Sequence, residues 1–150
     1  MSVHALSKRK DENKHFVPKP ARCTIDTGNH QGNFVSKSYL MEDLEYSESD
    51  FLSLNSSERN GGLSASNHKL MPEAAVIITW YHSGSTRLFR NMRFLIMSNP
   101  QYDLVIGARS IAKHNLLSPP NFGAEGIVVY TANTGAVYTH LSQISILTFH

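Results

Sequence analysis

The feature that most constrains the fold is a pair of apolar segments joined by a short polar turn. Residues 74–81, "AAVIITWY", form a continuous run rich in β-branched residues and are followed by "HSGS". Such a run is typical of a strand buried on both faces. Residues 86–97, "TRLFRNMRFLIM", place apolar side chains at even positions beyond the turn, as one strand of a hairpin does. The two segments predict a β-hairpin at the centre of a mostly β domain.

Shorter patterns predict the elements around this hairpin. Residues 21–26 and 102–107 have the composition of short strands, and "ARSIAKHNLL" after the second predicts a short helix. Residues 33–44 predict a helix that carries Val35, Tyr39, Leu40 and Leu44 on one face. Residues 47–68 are rich in Ser, Asn and Gly, which indicates a mobile loop or a poorly anchored hairpin.

The length of 150 residues predicts one domain with additional segments at its ends. Residues 1–20 are polar and basic and end in "VPKP", so we expect a disordered basic tail. Residues 21–120 form the predicted domain. Residues 121–150 form a predicted C-terminal β extension, in which "GIVVYT" and "AVYTHL" predict a second hairpin and "ISILTF" a further strand.

Charge and composition exclude several classes of function. The net charge is only +2, which gives no reason to expect a nucleic acid or a membrane surface as partner. The chain has no long apolar run and no signal-peptide pattern. Cys23 is the one cysteine and precludes an internal disulfide. We therefore expect a soluble, cytoplasmic or otherwise intracellular protein.

The sequence also disfavours a metal site and a catalytic cysteine. The eight histidines show no metal-ligand spacing, so we expect no metal site. Cys23 lies in a predicted strand, where a lone cysteine is more often a packing residue than a nucleophile. Trp80 ends a buried strand, which favours core packing over ligand stacking.

The remaining candidate for chemistry is "IDTG", residues 25–28. Asp26-Thr27-Gly28 directly follows the first predicted strand of the domain. An aspartate in this position is either a turn residue whose carboxylate binds the amides after it, or a catalytic group. The triplet alone leaves both interpretations open.

The order of motifs along the chain resembles the retropepsin-like aspartic proteases of retroviruses and retroelements. After "IDTG" come "GNFVS" at 32–36, "VIITW" at 76–80, "RFLIM" at 93–97 and "YDLVIGARSI" at 102–111. The resemblance runs from about Arg22 to Pro119. It implies an all-β retropepsin-like acid-protease fold, a closed β-barrel-like half-lobe with one or two short helices that works as a homodimer. It also implies a retrotransposon-derived origin.

The resemblance also implies roles for individual residues. Asp26 of each subunit would contribute one carboxylate of a catalytic dyad, Thr27 would brace the two catalytic loops, and Gly28 would allow their tight turn. Val105, Ile106 and Gly107 would support the loop from behind. Gly61, Gly62, Ser66, Asn67 and His68 would form the flap over a peptide substrate. No cofactor is implied, and residues 121–150 are candidate strands of the dimer interface.

Three functional hypotheses follow. The first is a homodimeric aspartic endopeptidase, which hydrolyses peptide bonds through water activation by the Asp26 dyad. The second is a catalytically degenerate retropepsin-like domain that acts as a protein-binding or dimerisation module. It is motivated by Asn29 in place of a small residue, by one extra residue in "NHQGNF", and by "SNH" in place of a flap glycine. The third is a truncated product of a decayed element.

Overall fold

The computed structural model describes residues 1–63, 69–98, 101–117, 137–139 and 145–147. The chain divides into two units, Met1–Leu117 and Ser118–His150. The strands of the first unit are β1 (Ser2–Lys10), β2 (Phe16–Asp26), β3 (Asn33–Ser36), β4 (Gly62–Leu63), β5 (Lys69–Leu70), β6 (Ala74–His82), β7 (Leu88–Met97) and β8 (Leu104–Gly107). Its α-helices are α1 (Ser56–Arg59) and α2 (Ala108–His114).

Six of these strands close into a barrel in the order β1-β2-β8-β3-β7-β6. The pairs β2/β8 and β3/β7 are parallel, and the other neighbours are antiparallel. The barrel interior holds a core that includes the fully buried side chains of Trp80, Phe94, Leu40, Ile78 and Ile106. The predicted all-β class, a closed barrel with short helices, is confirmed.

The prediction of a disordered tail over residues 1–20 is wrong, because this segment supplies β1 and most of β2. Burial alternates along β1, with Val3, Ala5 and Ser7 inside the barrel, while its basic residues are exposed. The prolines fit because residues 16–20 of β2 pair only with β1, whereas β8 pairs with Cys23–Asp26. A strand paired on one side tolerates a missing N–H. The tail prediction weighed charge and proline content above a period-two pattern.

The predicted hairpin of residues 74–97 is confirmed as β6 and β7, paired from Ala74↔Ile96 to Tyr81↔Leu88. Burial on both faces of the first strand is only partly correct. Val76, Ile78 and Trp80 are buried, whereas Ile77 is 38% exposed. The outer face of β6 is therefore open to solvent along its second half, as is usual in antiparallel sheets.

The predicted helix over residues 33–44 is wrong in its first part. Residues Asn33–Ser36 form β3 between β7 and β8, and the helical part is a five-residue π-helical turn, Tyr39–Asp43. The four predicted apolar residues are nevertheless all buried, namely Val35, Tyr39, Leu40 and Leu44. A short apolar run that is buried on both faces does not distinguish a strand from a helix by its periodicity.

Residues 47–68 were predicted to be a mobile loop or a poorly anchored hairpin, and their first part, residues 47–60, is instead anchored to the barrel. Leu52 exchanges two backbone hydrogen bonds with Ala75, of 2.7 and 2.9 Å. Helix α1 begins with a capping box, in which Asn55 and Glu58 bind each other's backbone N–H groups. The Glu58 carboxylate then receives two 2.9 Å hydrogen bonds from the Arg93 guanidinium. Polar composition here reflects caps and ion pairs.

The second unit contains β9 (Val137–Thr139) and β10 (Ser145–Leu147), which pair antiparallel with Tyr138 opposite Ile146. The predicted strand "GIVVYT", residues 126–131, lies outside the described residues. The role of residues 121–150 in a dimer interface stays a prediction. No helix in the described part of the chain is long and apolar enough to span a membrane.

We expect Val3→Ala to lower the free energy of unfolding, because Val3 is fully buried in the barrel. Removal of two methyl groups from a packed core costs about 1–3 kcal/mol. Urea denaturation followed by Trp80 fluorescence measures the change. Arg9→Ala, in the exposed end of β1, serves as control. An unchanged unfolding midpoint for Val3→Ala would mean that β1 is not part of the folded domain.

The Glu58–Arg93 ion pair predicts a pH dependence of stability. Hydrogen bonds from Arg93, and then from the Asn55 backbone, hold the pKa of Glu58 below its ordinary value of 4.5 against an opposing effect of burial. The unfolded chain therefore binds the proton more readily, so this stabilisation is fully present above about pH 4.5 and is lost as the pH falls through the lowered pKa.

Glu58→Gln should consequently flatten the acidic part of the stability curve. We expect the free energy of unfolding to change less between about pH 6 and pH 3 in this variant than in the native chain. Glu42→Gln, at an exposed position, is the matched control. Chemical denaturation at successive pH values tests the prediction, and parallel curves for the native chain and Glu58→Gln would contradict it.

Candidate active site

Asp26 lies where two parallel strands of the barrel end together. It is the last residue of β2, and its Cα is paired with that of Gly107, the last residue of β8. Both strands then leave the sheet, β2 into the turn at Thr27-Gly28 and β8 directly into α2. Asp26, Thr27 and Gly28 are all exposed in the single chain.

The turn after β2 holds one oxygen of the Asp26 carboxylate. The Gly28 N–H donates to Asp26 Oδ1 at 3.0 Å, and the Asn29 N–H donates to the Asp26 carbonyl at 3.2 Å. This is the Asx-turn geometry that the sequence left as an alternative. It fixes the direction of the carboxylate, while Oδ2 makes no hydrogen bond to the described residues. The turn and a chemical role for Asp26 are therefore compatible.

Gly107 closes the space behind this turn. A Cβ at Gly107 would clash with the carbonyl oxygen of Gly32 and lie 2.9 Å from that of Asn29. The next residue, Ala108, donates its N–H to the Asn29 carbonyl at 2.8 Å. Only glycine allows the end of β8 to approach the loop this closely.

The other two residues predicted behind the loop have different surroundings. Ile106 is fully buried in the barrel core and is paired with Ile25. Val105 is half-buried and packs against a smaller apolar cluster on the outer side of the sheet. The supporting role that the sequence assigned to Val105, Ile106 and Gly107 stays a prediction.

Asn29, which departs from the expected small residue, closes the loop that follows the triplet. Its Nδ2 donates to the Gly32 carbonyl at 2.7 Å, and its Oδ1 accepts from the Gln31 N–H at 3.0 Å. Both bonds are local, and the Gly28 bond to Asp26 is formed beside them. The loop, which has one residue more than the resemblance predicts, is thus closed by its own hydrogen bonds. Asn29 does not displace the hydrogen bonds of Asp26.

Asn33 is a polar site residue that the sequence analysis missed. It is 6% exposed, accepts a 3.1 Å hydrogen bond from the Gly107 N–H, and donates a 3.0 Å hydrogen bond to the Arg93 carbonyl. The available signal was an asparagine at the start of the apolar segment "NFVS". Because that segment was predicted to be helical, its position next to β8 was not foreseen.

The described part of the candidate flap lies near the same loop. Gly61 has a φ of +69° and donates its N–H to the Glu58 carbonyl, and Gly62 pairs with Leu70. A Cβ on Gly62 would lie 2.5 Å from Gln31 Oε1. Both polar atoms of the Gln31 carboxamide are buried and have no hydrogen-bond partner among the described residues. Ser66, Asn67 and His68 lie outside the described residues.

The other candidate groups do not converge on Asp26. Cys23 is 1% exposed, and burial raises the pKa of its thiol to about 12, so the packing interpretation is confirmed. Trp80 is buried and stacks on Phe89 with ring centroids 4.4 Å apart, as core packing predicts. Within residues 1–63, 69–98 and 101–117 no group of histidine, cysteine and carboxylate side chains is arranged to hold a metal ion.

The described part of the chain presents Asp26 as a carboxylate with one oxygen held by the Gly28 N–H. No other carboxyl group in the described ranges is hydrogen-bonded to Asp26, and Thr27 is exposed beside it. General acid–base hydrolysis of an amide by carboxyl groups needs one that accepts a proton and one that donates a proton. Within the described ranges, Asp26 is one carboxyl group without a second one bonded to it.

We expect Gly107→Ala to destabilise the protein and displace the Asp26 turn, because its Cβ would meet two backbone carbonyl groups. Steric insertion of this kind costs about 1–3 kcal/mol. Gly84→Ala, in the β6–β7 turn, is the matched control because its nearest neighbour is a His82 ring atom at 3.4 Å. Thermal unfolding measures both variants, and equal stability of the two would refute the close packing at Gly107.

No protein-family model and no curated protein matches this sequence. One similar solved structure is the retroviral protease-like domain of Ddi1 from Leishmania major, with 12% sequence identity and a TM-score of 0.39. The match covers 98% of this chain and 93% of that one.

Proposed function

We propose that this chain is an aspartic endopeptidase of the retropepsin type that acts as a homodimer. The observation that carries the proposal is the state of Asp26. Its carboxylate is exposed, one of its oxygens is held by the Gly28 N–H, and its turn is backed by the close approach of Gly107. An oriented carboxylate with one free oxygen on a rigid base is suited to binding and activating a water molecule.

The dimer supplies what one chain lacks. A two-fold axis beside the Thr27 residues brings the two Asp26 side chains together, so that Asp26 of each subunit contributes one carboxyl group. Two adjacent carboxyl groups cannot both ionise readily and therefore share one proton. The exposed Thr27 side chains, next to both aspartates, would then contact each other across the axis and brace the turns.

The proposed reaction is hydrolysis of a peptide bond without a cofactor. The ionised carboxylate removes a proton from water as the oxygen attacks the peptide carbonyl carbon, and the protonated carboxyl group donates its proton to the carbonyl oxygen. Collapse of the resulting diol, with proton transfer to the nitrogen, breaks the C–N bond and releases an acid and an amine. The substrate is an extended peptide bound between the Asp26 loop and the β4–β5 hairpin.

We expect Asp26→Asn to abolish cleavage of a mixed peptide library at acidic to neutral pH. Loss of a positioned acid–base group lowers the rate by at least about 10²–10⁴-fold. Asp43→Asn, an exposed carboxylate on the π-helical turn, is the matched control and should retain activity. Residual cleavage by Asp26→Asn equal to that of the control would exclude the mechanism.

Subunit mixing tests whether the dyad is shared between chains. If each site needs Asp26 from both subunits, equal amounts of native chain and Asp26→Asn, after exchange, should have about a quarter of the native activity. A site complete within one chain would instead retain about half. Sedimentation of the purified chain, measured in parallel, must show a dimer at the concentration of the assay.

The second candidate is a domain that binds peptides without cleaving them. It is supported by the Gln31 carboxamide, whose buried donor and acceptor have no partner in the described residues and would be reached by a peptide only when the Gly62 backbone that covers them is displaced. This pair of groups matches one backbone peptide unit. Peptide binding with equal affinity by the native chain and Asp26→Asn, without cleavage by either, would favour this candidate over the protease.

A further inference from the structure

We propose that Asn33 is a positioning residue for Asp26 and acts through Gly107. The inference rests on the proposed protease function, because it assigns Asn33 a role in setting the direction of the Asp26 carboxylate. It concerns a buried side chain that does not touch the reacting atoms. The structural basis is a continuous series of hydrogen bonds and close contacts between β7, β3, β8 and the Asp26 turn.

The Asn33 carboxamide of β3 links the two strands on either side of it, β8 and β7. Its Oδ1 accepts from the Gly107 N–H at 3.1 Å on β8, and its Nδ2 donates to the Arg93 carbonyl at 3.0 Å on β7. The two partners fix the orientation of the amide, because an N–H group must face the oxygen and a carbonyl must face the nitrogen. Asn33 thereby holds the end of β8 at a set distance from β7.

Gly107 transmits this position to the catalytic turn. It is paired with Asp26 across the β2–β8 ladder, and it packs against the carbonyl groups of Gly32 and Asn29 with no space for a Cβ. If Gly107 moves, the backbone at both ends of the loop from Asn29 to Gly32 must move with it. The turn that begins at Asp26 leads into this loop, because the Asn29 N–H donates to the Asp26 carbonyl. The direction of the Asp26 carboxylate therefore depends on the position of the loop.

Arg93, at the β7 end of this series of hydrogen bonds, has further contacts. The Arg93 guanidinium binds both oxygens of Glu58 at 2.9 Å and the Ser53 carbonyl at 2.8 Å. These bonds fix the Arg93 side chain, and the Arg93 backbone is held by its pairing with Ile77 of β6.

Packing alone does not account for an asparagine at this position. The next two residues of β3, Phe34 and Val35, are apolar and buried, and an apolar side chain would fill the site of Asn33 without a desolvation cost. A buried carboxamide is favourable only when its polar atoms are bonded. Here both are bonded, and one of the bonds is to the glycine behind the catalytic turn.

The test compares three variants with the native dimer. Asn33→Ala removes both hydrogen bonds, and Asn33→Asp retains the acceptor for Gly107 and loses the donor to Arg93. Val3→Ala is a destabilised control in β1, which pairs with β2 and β6 and with neither β3 nor β8. All are assayed at a temperature at which each remains folded. The measurements are kcat and KM against pH for a cleaved peptide, and hydrogen exchange at the amides of Gly107 and Ala108.

If Asn33 positions Asp26, Asn33→Ala should lower kcat about 10- to 100-fold, since a small misplacement of a reacting group costs this much. KM should remain within about threefold of native, because substrate contacts are retained. The pH profile should be displaced, since proton sharing in the dyad depends on carboxylate separation. Asn33→Asp turns a carboxylate oxygen toward the Arg93 carbonyl and should also lower kcat, whereas Val3→Ala should retain the native profile.

The inference is overturned if the Asn33 variants lose activity only in proportion to stability and keep the native pH profile, as Val3→Ala should. If Asn33→Ala fails to fold, Asn33→Asp decides. If the native chain cleaves nothing, the proposed function fails independently. The exchange data then decide on the hydrogen-bond series alone: faster exchange at Gly107 and Ala108 in Asn33→Ala, but not in Val3→Ala, supports it, and equal exchange contradicts it.

Discussion

The parallel pairing of β2 with β8 is the constraint on which the candidate site depends. It places Asp26 beside Gly107 at the point where both strands leave the barrel. Gly107 lies behind the turn, in close approach to the carbonyl groups of Gly32 and Asn29. A polar turn at the end of an isolated strand would be mobile, whereas this one is backed by a strand and a helix of the same barrel. The position of Asp26 therefore follows from the barrel's topology as much as from its own hydrogen bond to Gly28.

Polar side chains within the sheet link strands at positions that apolar packing alone does not specify. Asn33 links β8 to β7, and the ion pair of Arg93 with Glu58 links β7 to the segment before the candidate flap. Hydrophobic burial is non-directional, so it closes the barrel without setting the position of one strand end to within a fraction of an ångström. Hydrogen bonds between buried or partly buried groups supply that direction, because leaving such a group without its partner is costly.

Sequence patterns and structure disagree at the start of the chain and at Asn33–Ser36. The basic, proline-containing start of the chain resembles a tail, yet the alternation of Val3, Ala5 and Ser7 is that of a half-buried strand. The segment "NFVS" has apolar residues that fit either a helix or a buried strand, and its position between β7 and β8 decided for the strand. In both cases the deciding information includes strands that are far away along the chain, namely β6 beside β1, and β7 and β8 beside "NFVS".

The local features of this protein were determined by its sequence alone. The hairpin of β6 and β7, the strand and helix around Gly107, the burial of Trp80 and Cys23, and an aspartate in a turn after an apolar strand all follow from short-range composition and periodicity. The tertiary structure decided which strands and residues lie beside these features. The pairing of Asp26 with Gly107 and the bonds made by Asn33 join residues 60 or more positions apart. Barrel closure also depends on β1, a strand whose basic residues and following prolines resemble a tail. Such contacts are selected by the summed burial and hydrogen bonding of the whole barrel, and no local window of sequence contains that sum.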